Sequence, residues 1–419
     1  MRAFRWFPVV VATFLIVPLV VTSGAATASA PPHQLSATEP ASLSATERAD
    51  LAAIATSRGI SMDDAVLRFA WQDAFAIAAT TIEAAYPDSF SSSEITSEDP
   101  AIGTIRFVDD VPAGVEDLLV GVPAHVQVRL VGGEALSARE ISQAVADAHQ
   151  AVIATGAVDG AVTSYDRVSG LVQVAASPRL GSVPPDATRD QLAERARVVQ
   201  GALPPGLARV ELTLVPGLRG TTEARLGGGR LEFSGTSSLA CTAGFNVVDS
   251  AGTTGVATAG HCSDSLTHEN TSGGSEYALT LRGEHRGTWG DFQWHTSSDT
   301  EPDDFYYNAT STRDVAARAN PSDNQTICRF GHTSGDDCNT VVDTELCATM
   351  DGVDTCHLVR MEADTADGGD SGGPWYYSTT AYGFHTGQVG CGFLWQNTCD
   401  VWSRVTYIDD ALGVTVKTS

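Results

Sequence analysis

Three short strings in the second half of the chain supply a histidine, an aspartate and a serine in that order. They are Thr258-Ala259-Gly260-His261-Cys262, Gly290-Asp291-Phe292 and Gly369-Asp370-Ser371-Gly372-Gly373-Pro374. A serine hydroxyl is a weak nucleophile until a neighbouring imidazole takes its proton. The imidazole in turn needs a carboxylate to fix its tautomer and steady the cation it becomes. Each string alone has a bland reading as a turn or a packed histidine. Together, in this order and at domain-scale spacing, they point to acyl transfer, with Ser371 as nucleophile, His261 as base and Asp291 as orienting acid. Such chemistry needs no metal or organic cofactor.

The elements that must hold these residues differ from those before them. From Leu226-Gly227-Gly228-Gly229 onward, short alternating strands and Gly/Thr/Asp/Asn turns dominate, which is an all-β signature. A short helix is expected at the end, from Val405 to Leu412. The preceding region reads as α+β. Helices are expected over Ala45 to Arg58 and Met62 to Tyr86, with Ser61 and Asp64 capping the second. Its apolar face carries Leu67, Ala70, Trp71, Ala74, Phe75 and Ala78 at helical spacing. Strands are expected at Gly103 to Val108, Val126 to Val131, Gly170 to Ala175 and Ala208 to Leu214, with helices at Ala138 to Thr155 and Thr188 to Gln200. No catalytic constellation is visible there.

The 419 residues suffice for two or three domains. Arg2 and Arg5, the apolar run Val9 to Val21 and the small residues Ala28-Ser29-Ala30 read as a secretory signal peptide cut after Ala30. The run is short for a membrane span, and no later one is longer, so a secreted product without a membrane partner is expected. Residues 31–43 are rich in Ala, Ser and Pro and read as disordered. All eight cysteines lie between Cys241 and Cys399. An even count behind a signal peptide implies disulfides, and the absence of a Cys-x-x-Cys pair argues against zinc. Net charge is −26, and from Leu226 onward 9 Lys and Arg face 26 Asp and Glu. That balance argues against a nucleic-acid partner.

Serine, histidine and aspartate occur in different chain orders on unrelated folds. The order here, with Cys241-Thr242-Ala243-Gly244-Phe245-Asn246-Val247, the stretch Ile327 to Cys338 and the ending Trp402 to Val416, resembles the secreted bacterial chymotrypsin-like peptidases of the streptogrisin and α-lytic endopeptidase group. The resemblance covers about Ala224 to the end. It implies an all-β double β-barrel over 224–419 and a serine endopeptidase acting on protein and peptide substrates, monomeric when mature. It also implies that 31–223 is a pro-region, a folding assistant and intramolecular inhibitor removed after export. The backbone N–H groups of Gly369 and Ser371 are then the oxyanion hole, and Arg329 is the buried ion-pair partner of Asp370. Disulfides Cys241–Cys262 and Cys328–Cys338 carry family support. Cys347–Cys356 and Cys391–Cys399 rest on short spacing, and they depart from the usual pocket-wall disulfide.

Gly383-Phe384-His385-Thr386-Gly387 resembles the Gly-x-His-x-Gly segment of glutamate-specific members of the wider group, where the histidine sits at the base of the primary pocket. The pocket residues are then His385, Thr386, Gly387 and Thr365. Ala224 to Gly229 resembles the start of a mature member, which sets the cut after Glu223. A preference for Glu is therefore expected. The alternatives are a preference for large apolar residues, an esterase, or an inactive relative used as a binding module.

Overall fold

The computed structural model describes residues 43–179, 190, 194, 209–215, 217–218, 220–222, 229–236, 238–269, 276–298, 301–392, 395 and 397–419. The expected signal peptide and the helix over Thr188 to Gln200 lie outside these residues, 190 and 194 apart, as does the expected cut after Glu223.

Helix α1 (Ala45–Arg58) begins where Ser44 accepts the Glu47 N–H and Glu47 reaches back, and ends at left-handed Gly59. The single helix expected over Met62 to Tyr86 is instead two, α2 (Met62–Phe69) and α3 (Gln72–Ala85). The break has a visible cause. Gln72 turns its side chain back to the Arg68 carbonyl at 3.1 Å and accepts the Thr326 N–H at 2.8 Å. It thereby ends α2 and docks the corner. Trp71 and Phe75 are buried as expected, but Leu67 is 46% exposed because the break turns its face away.

Strands β1 (Phe90–Ser97), β2 (Ile102–Val108) and β3 (Gln127–Glu134) form a small sheet. Helix α4 (Ala138–Ile153), with a Ser137–Glu140 capping box, packs on β4 (Val158–Asp166) and β5 (Leu171–Pro178), which continue through β6 (Arg209–Leu214). Strands β1 and β4 carry no sequence expectation. In β1 the polar run Ser91 to Ser93 is buried because Ser93 meets Ser322 and Arg167 bonds the Ser91 carbonyl. Strand β7 (Gly220–Thr222) follows.

The rest is β-rich, as its texture implies. One sheet holds β8 (Gly229–Phe233), β9 (Leu239–Ala243), β12 (Leu266–Glu269) and β13 (Glu276–Ala278). A second holds β10 (Asn246–Asp249), β11 (Thr254–Thr258), β14 (Thr280–Gly287), β15 (Gly290–Thr296) and the last strand, β25 (Val414–Val416). These two sheets make the first barrel. After the hairpin β16 (Asp304–Asn308) and β17 (Ser311–Asp314) and the short β18 (Ala317–Arg318) comes the second barrel. Its strands are β19 (Thr326–Gly331), β20 (Gly335–Met350), β21 (Val353–Met361), β22 (Pro374–Tyr377), β23 (Thr380–Cys391) and β24 (Asn397–Arg404). The order β19-β22-β23-β24-β21-β20 closes by pairing β19 with β20. Past the closed stretch, β20 and β23 keep edges that other strands cover. The expected C-terminal helix is a 3₁₀ turn (Val405–Tyr407) followed by α5 (Ile408–Leu412).

One apolar core joins the barrels: Phe245, Phe292 and Trp294 from the first meet Phe330, Trp375, Phe384 and Trp402 from the second. Two features tie residues 43–222 to these barrels. Strand β4 extends the second barrel by pairing antiparallel with β20 at Leu346 to Ala348. Strand β7 pairs antiparallel with β23, placing Thr222 opposite Gly387 and Thr221 opposite Gln388.

Candidate active site

The three motif residues meet between the barrels. His261 leaves the end of β11 in a tight turn closed by Cys262 N–H to Ala259 carbonyl at 3.1 Å and pinned by the Cys241–Cys262 disulfide. Gly260 is required there. A Cβ would lie 2.6 Å from the His285 carbonyl oxygen and 2.7 Å from that of Phe292. Asp291 sits on β15, where its N–H donates to Ser403 Oγ at 3.0 Å. Ser371 occupies the loop between β21 and β22, held by Thr242 N–H to its carbonyl at 2.6 Å and by Gly372 N–H to the His385 carbonyl at 2.7 Å. Gly372 has φ +83, and a Cβ would fall 2.0 Å from Thr258 Oγ1.

The side chains form a continuous chain. Asp291 Oδ2 is 2.5 Å from His261 Nδ1, and His261 Nε2 is 2.8 Å from Ser371 Oγ. The Asp291 and His261 side chains are 1% and 3% exposed, so the ring has little freedom to turn away. Gly369, with φ 108, has its carbonyl bonded by Thr242 Oγ1 at 3.0 Å.

Arg329 and Asp370 are brought together with neither exposed, Nη1 to Oδ2 at 3.0 Å. A buried pair is tolerable only when its remaining lone pairs and protons are met. Here Arg329 also donates to Ser334 Oγ and the Thr365 carbonyl, while Asp370 accepts the N–H groups of Thr333 and Asp367. The four disulfides are Cys241–Cys262, Cys328–Cys338, Cys347–Cys356 and Cys391–Cys399.

The expected pocket residues separate. His385 is fully buried, and its Nδ1 accepts from Trp375 Nε1 at 3.4 Å, with the Trp375 ring stacked on Trp402. Thr365 gives both its N–H and its hydroxyl to Asp400 Oδ2, each at 3.0 Å. Thr386, expected beside the pocket, turns its hydroxyl to Ser403 Oγ at 2.9 Å, in the network beneath Asp291. Gly387 faces the β7 backbone.

Sequence reasoning missed Asp400 and Ser403. Asp400 is buried, which pushes its carboxyl up, while the charges of His385 and Arg329 pull it back. It stands two ladder steps from the His385–Trp402 pair, opposite Gln388. Asp400 lies in no quoted motif, and Ser403, though inside the ending Trp402 to Val416, is not marked there by its chemistry. Their places follow from cross-strand register alone.

No family model matches the chain. A protein named serine protease 2 from Streptomyces fradiae is 30% identical over 156 residues, covering 36% of this chain and 87% of that protein. Glutamyl endopeptidase 2 of Streptomyces griseus is 30% identical over 193 residues, 46% of this chain and 98% of that protein. Serine protease 1 of Streptomyces fradiae is 28% identical over 310 residues, 71% of this chain and 78% of that protein.

Proposed function

We propose that this chain, which belongs to the streptogrisin family of chymotrypsin-like bacterial serine proteases and is a serine endopeptidase, works through His261, Asp291 and Ser371 and is made as a secreted, self-processing precursor. The observation that carries the reading is the unbroken Asp291–His261–Ser371 hydrogen-bond chain.

Ser371 Oγ attacks the scissile carbonyl carbon while His261 Nε2 takes its proton. Asp291 holds Nδ1–H and steadies the imidazolium. The oxyanion is received by the backbone N–H groups of Gly369 and Ser371, whose worth lies in being aimed before charge develops. Collapse expels the amine, protonated by His261, and leaves an acyl group on Ser371. Water, deprotonated by the same imidazole, then releases the acid.

Residues 31–223 act in this reading as the pro-region, following a leader over 1–30, and 224–419 as the mature enzyme. Strand β7 supports it: a substrate of a barrel protease adds a strand to an open edge, and β7 does so on β23 beside the Ser371 loop. The chain runs from Thr222 directly into Glu223, after which the cut is proposed. Glu at that junction, the buried His385 and the likeness to a glutamyl endopeptidase support a preference for Glu in substrates. The histidine offers a donor or a cation to the carboxylate.

The test is to express the full chain with Ser371→Ala. The uncut precursor should accumulate with no peptide hydrolysis. Matched peptide substrates ending in Glu, Gln, Phe, Leu and Arg then test specificity. Faster turnover of Phe or Leu at moderate salt contradicts the Glu preference and leaves the triad untouched.

A further inference from the structure

A triad carboxylate has two oxygens, and His261 uses one. The other, Asp291 Oδ1, is buried and accepts no hydrogen bond among the described residues. A bare oxygen on a buried, ionised carboxylate is costly unless a charge stands near it. Arg286 supplies that charge. It is the cross-strand partner of Asp291 in the β14–β15 ladder. Its Nε lies 3.5 Å from Oδ1, within ion-pairing reach but outside a good hydrogen bond, and Nε also lacks an acceptor. Its Nη2 donates to the Met350 carbonyl at 3.4 Å, at the tip of the β20–β21 hairpin. Met350 in turn pairs with Gly220 of β7.

We infer that Arg286 is a positioning residue for the reaction: its charge beside Oδ1 fixes the rotation of the Asp291 carboxylate, so that Oδ2 stays aimed at His261 Nδ1. The inference rests on the triad reading above. The register explains why this residue is suited to the task. Paired directly across an antiparallel ladder, side chains at 286 and 291 emerge on the same face of the sheet. The guanidinium therefore reaches Oδ1, the oxygen that His261 does not use, where it can pin the acid without competing with Nδ1–H for Oδ2. The turn between the strands is short, running from Gly287 to Gly290, so the pair is held by local geometry. Anchoring of the far end by Met350 limits the swing of the long side chain. A purely structural role, tying β14 to the hairpin, would cost stability but would leave turnover by folded molecules unchanged.

The two roles separate on enzyme obtained by expressing the full chain and allowing it to process. Arg286→Met and Arg286→Gln remove the charge, and Arg286→Lys keeps it. We read kcat, KM and the second-order rate constant for labelling by a serine-directed organophosphorus probe, which reports folded molecules only. Loss of alignment should lower kcat and the labelling rate by about ten- to a hundredfold in both neutral variants. KM should stay within about twofold, because substrate binding is untouched. Arg286→Lys should return both rates to within about threefold of the parent. Neutral variants that match the parent in kcat and labelling rate overturn the inference. So does a lysine variant as slow as the neutral ones. If the parent itself is not labelled, or is labelled away from Ser371, the triad reading falls. If the parent is labelled at Ser371 while the neutral variants keep its rate, only the role of Arg286 falls.

Discussion

The two parts of the described chain are held by different forces. Residues 229–419 carry all four disulfides and the buried Arg329–Asp370 pair, both internal to the barrels. Residues 43–222 contain no cysteine. Besides the β4 and β7 pairings and a shared apolar core, they meet the barrels through inward-facing acids: Asp50 accepts from Arg313 at 2.7 Å and from Ser378 N–H, and Asp73 accepts from Tyr382 at 2.6 Å and Thr380 at 3.0 Å. Covalent links persist under changing conditions, whereas the contact of a carboxyl that burial shifts upward, as at Asp73, weakens when its proton leaves. The difference suits the proposed reading, in which one part endures and the other is removed.

That contrast can be broken at its strongest point first. Arg329→Ala leaves the Asp370 charge buried and unpaired, which should cost about 3–5 kcal/mol. Active enzyme should be scarcely recoverable, as read by the yield of probe-labelled protein. Near-normal yield would mean that the barrels do not depend on the pair. Gly372→Ala comes next. Its Cβ would strike Thr258 Oγ1 and its backbone would be held at positive φ, so the nucleophile loop must shift and peptide hydrolysis should fall by about a hundredfold or more.

The docking half predicts a pH dependence. Burial raises the Asp73 carboxyl to about 7, and that of Asp343 on β20 to about 6, near Arg167 and Asp323. A carboxyl whose value is raised by docking binds its proton more tightly in the docked state. Its contribution is intact below the ordinary carboxylate range and is lost as pH rises through these values. Asp50 is shifted the same way. Glu345, lowered to about 2 by His357 and Arg404 against the effect of burial, opposes this trend only in acid. Affinity between separated residues 31–223 and the catalytic part of Ser371→Ala should therefore fall by about tenfold or more between pH 5 and pH 7.5. Asp73→Asn should flatten the dependence. Titration calorimetry of the mixture checks both.

The smallest effect concerns the pocket. Asp400 stands near His385 and is held by Thr365, and its ionised form works against an acidic substrate. Asp400→Asn should raise the ratio of Glu to Gln hydrolysis by about three- to tenfold. An unchanged ratio would place the carboxylate outside the recognition of the substrate.

The triad was legible because its chemistry forces residue types into short strings. Arg329 with Asp370 was legible only through resemblance. The rest depended on partners far along the chain. Asp400 meets Thr365, Ser403 supports Asp291, and Arg286 faces Asp291 only once β14 folds onto β15. The helix over Met62 to Tyr86 failed for the same reason. Gln72 has good helix propensity, and what breaks the helix is its bond to Thr326 more than two hundred residues away. The serines of β1 gave no strand signal because the Ser322 and Arg167 that satisfy them lie elsewhere.

The roles of Ser371 and His261 are tested by labelling the processed protein with the organophosphorus probe and mapping the modified residue by peptide mass spectrometry. One adduct is expected, on Ser371, formed at a rate that collapses in His261→Ala. Labelling at another residue, or a His261→Ala protein that labels and cleaves as fast as the parent, would contradict those roles.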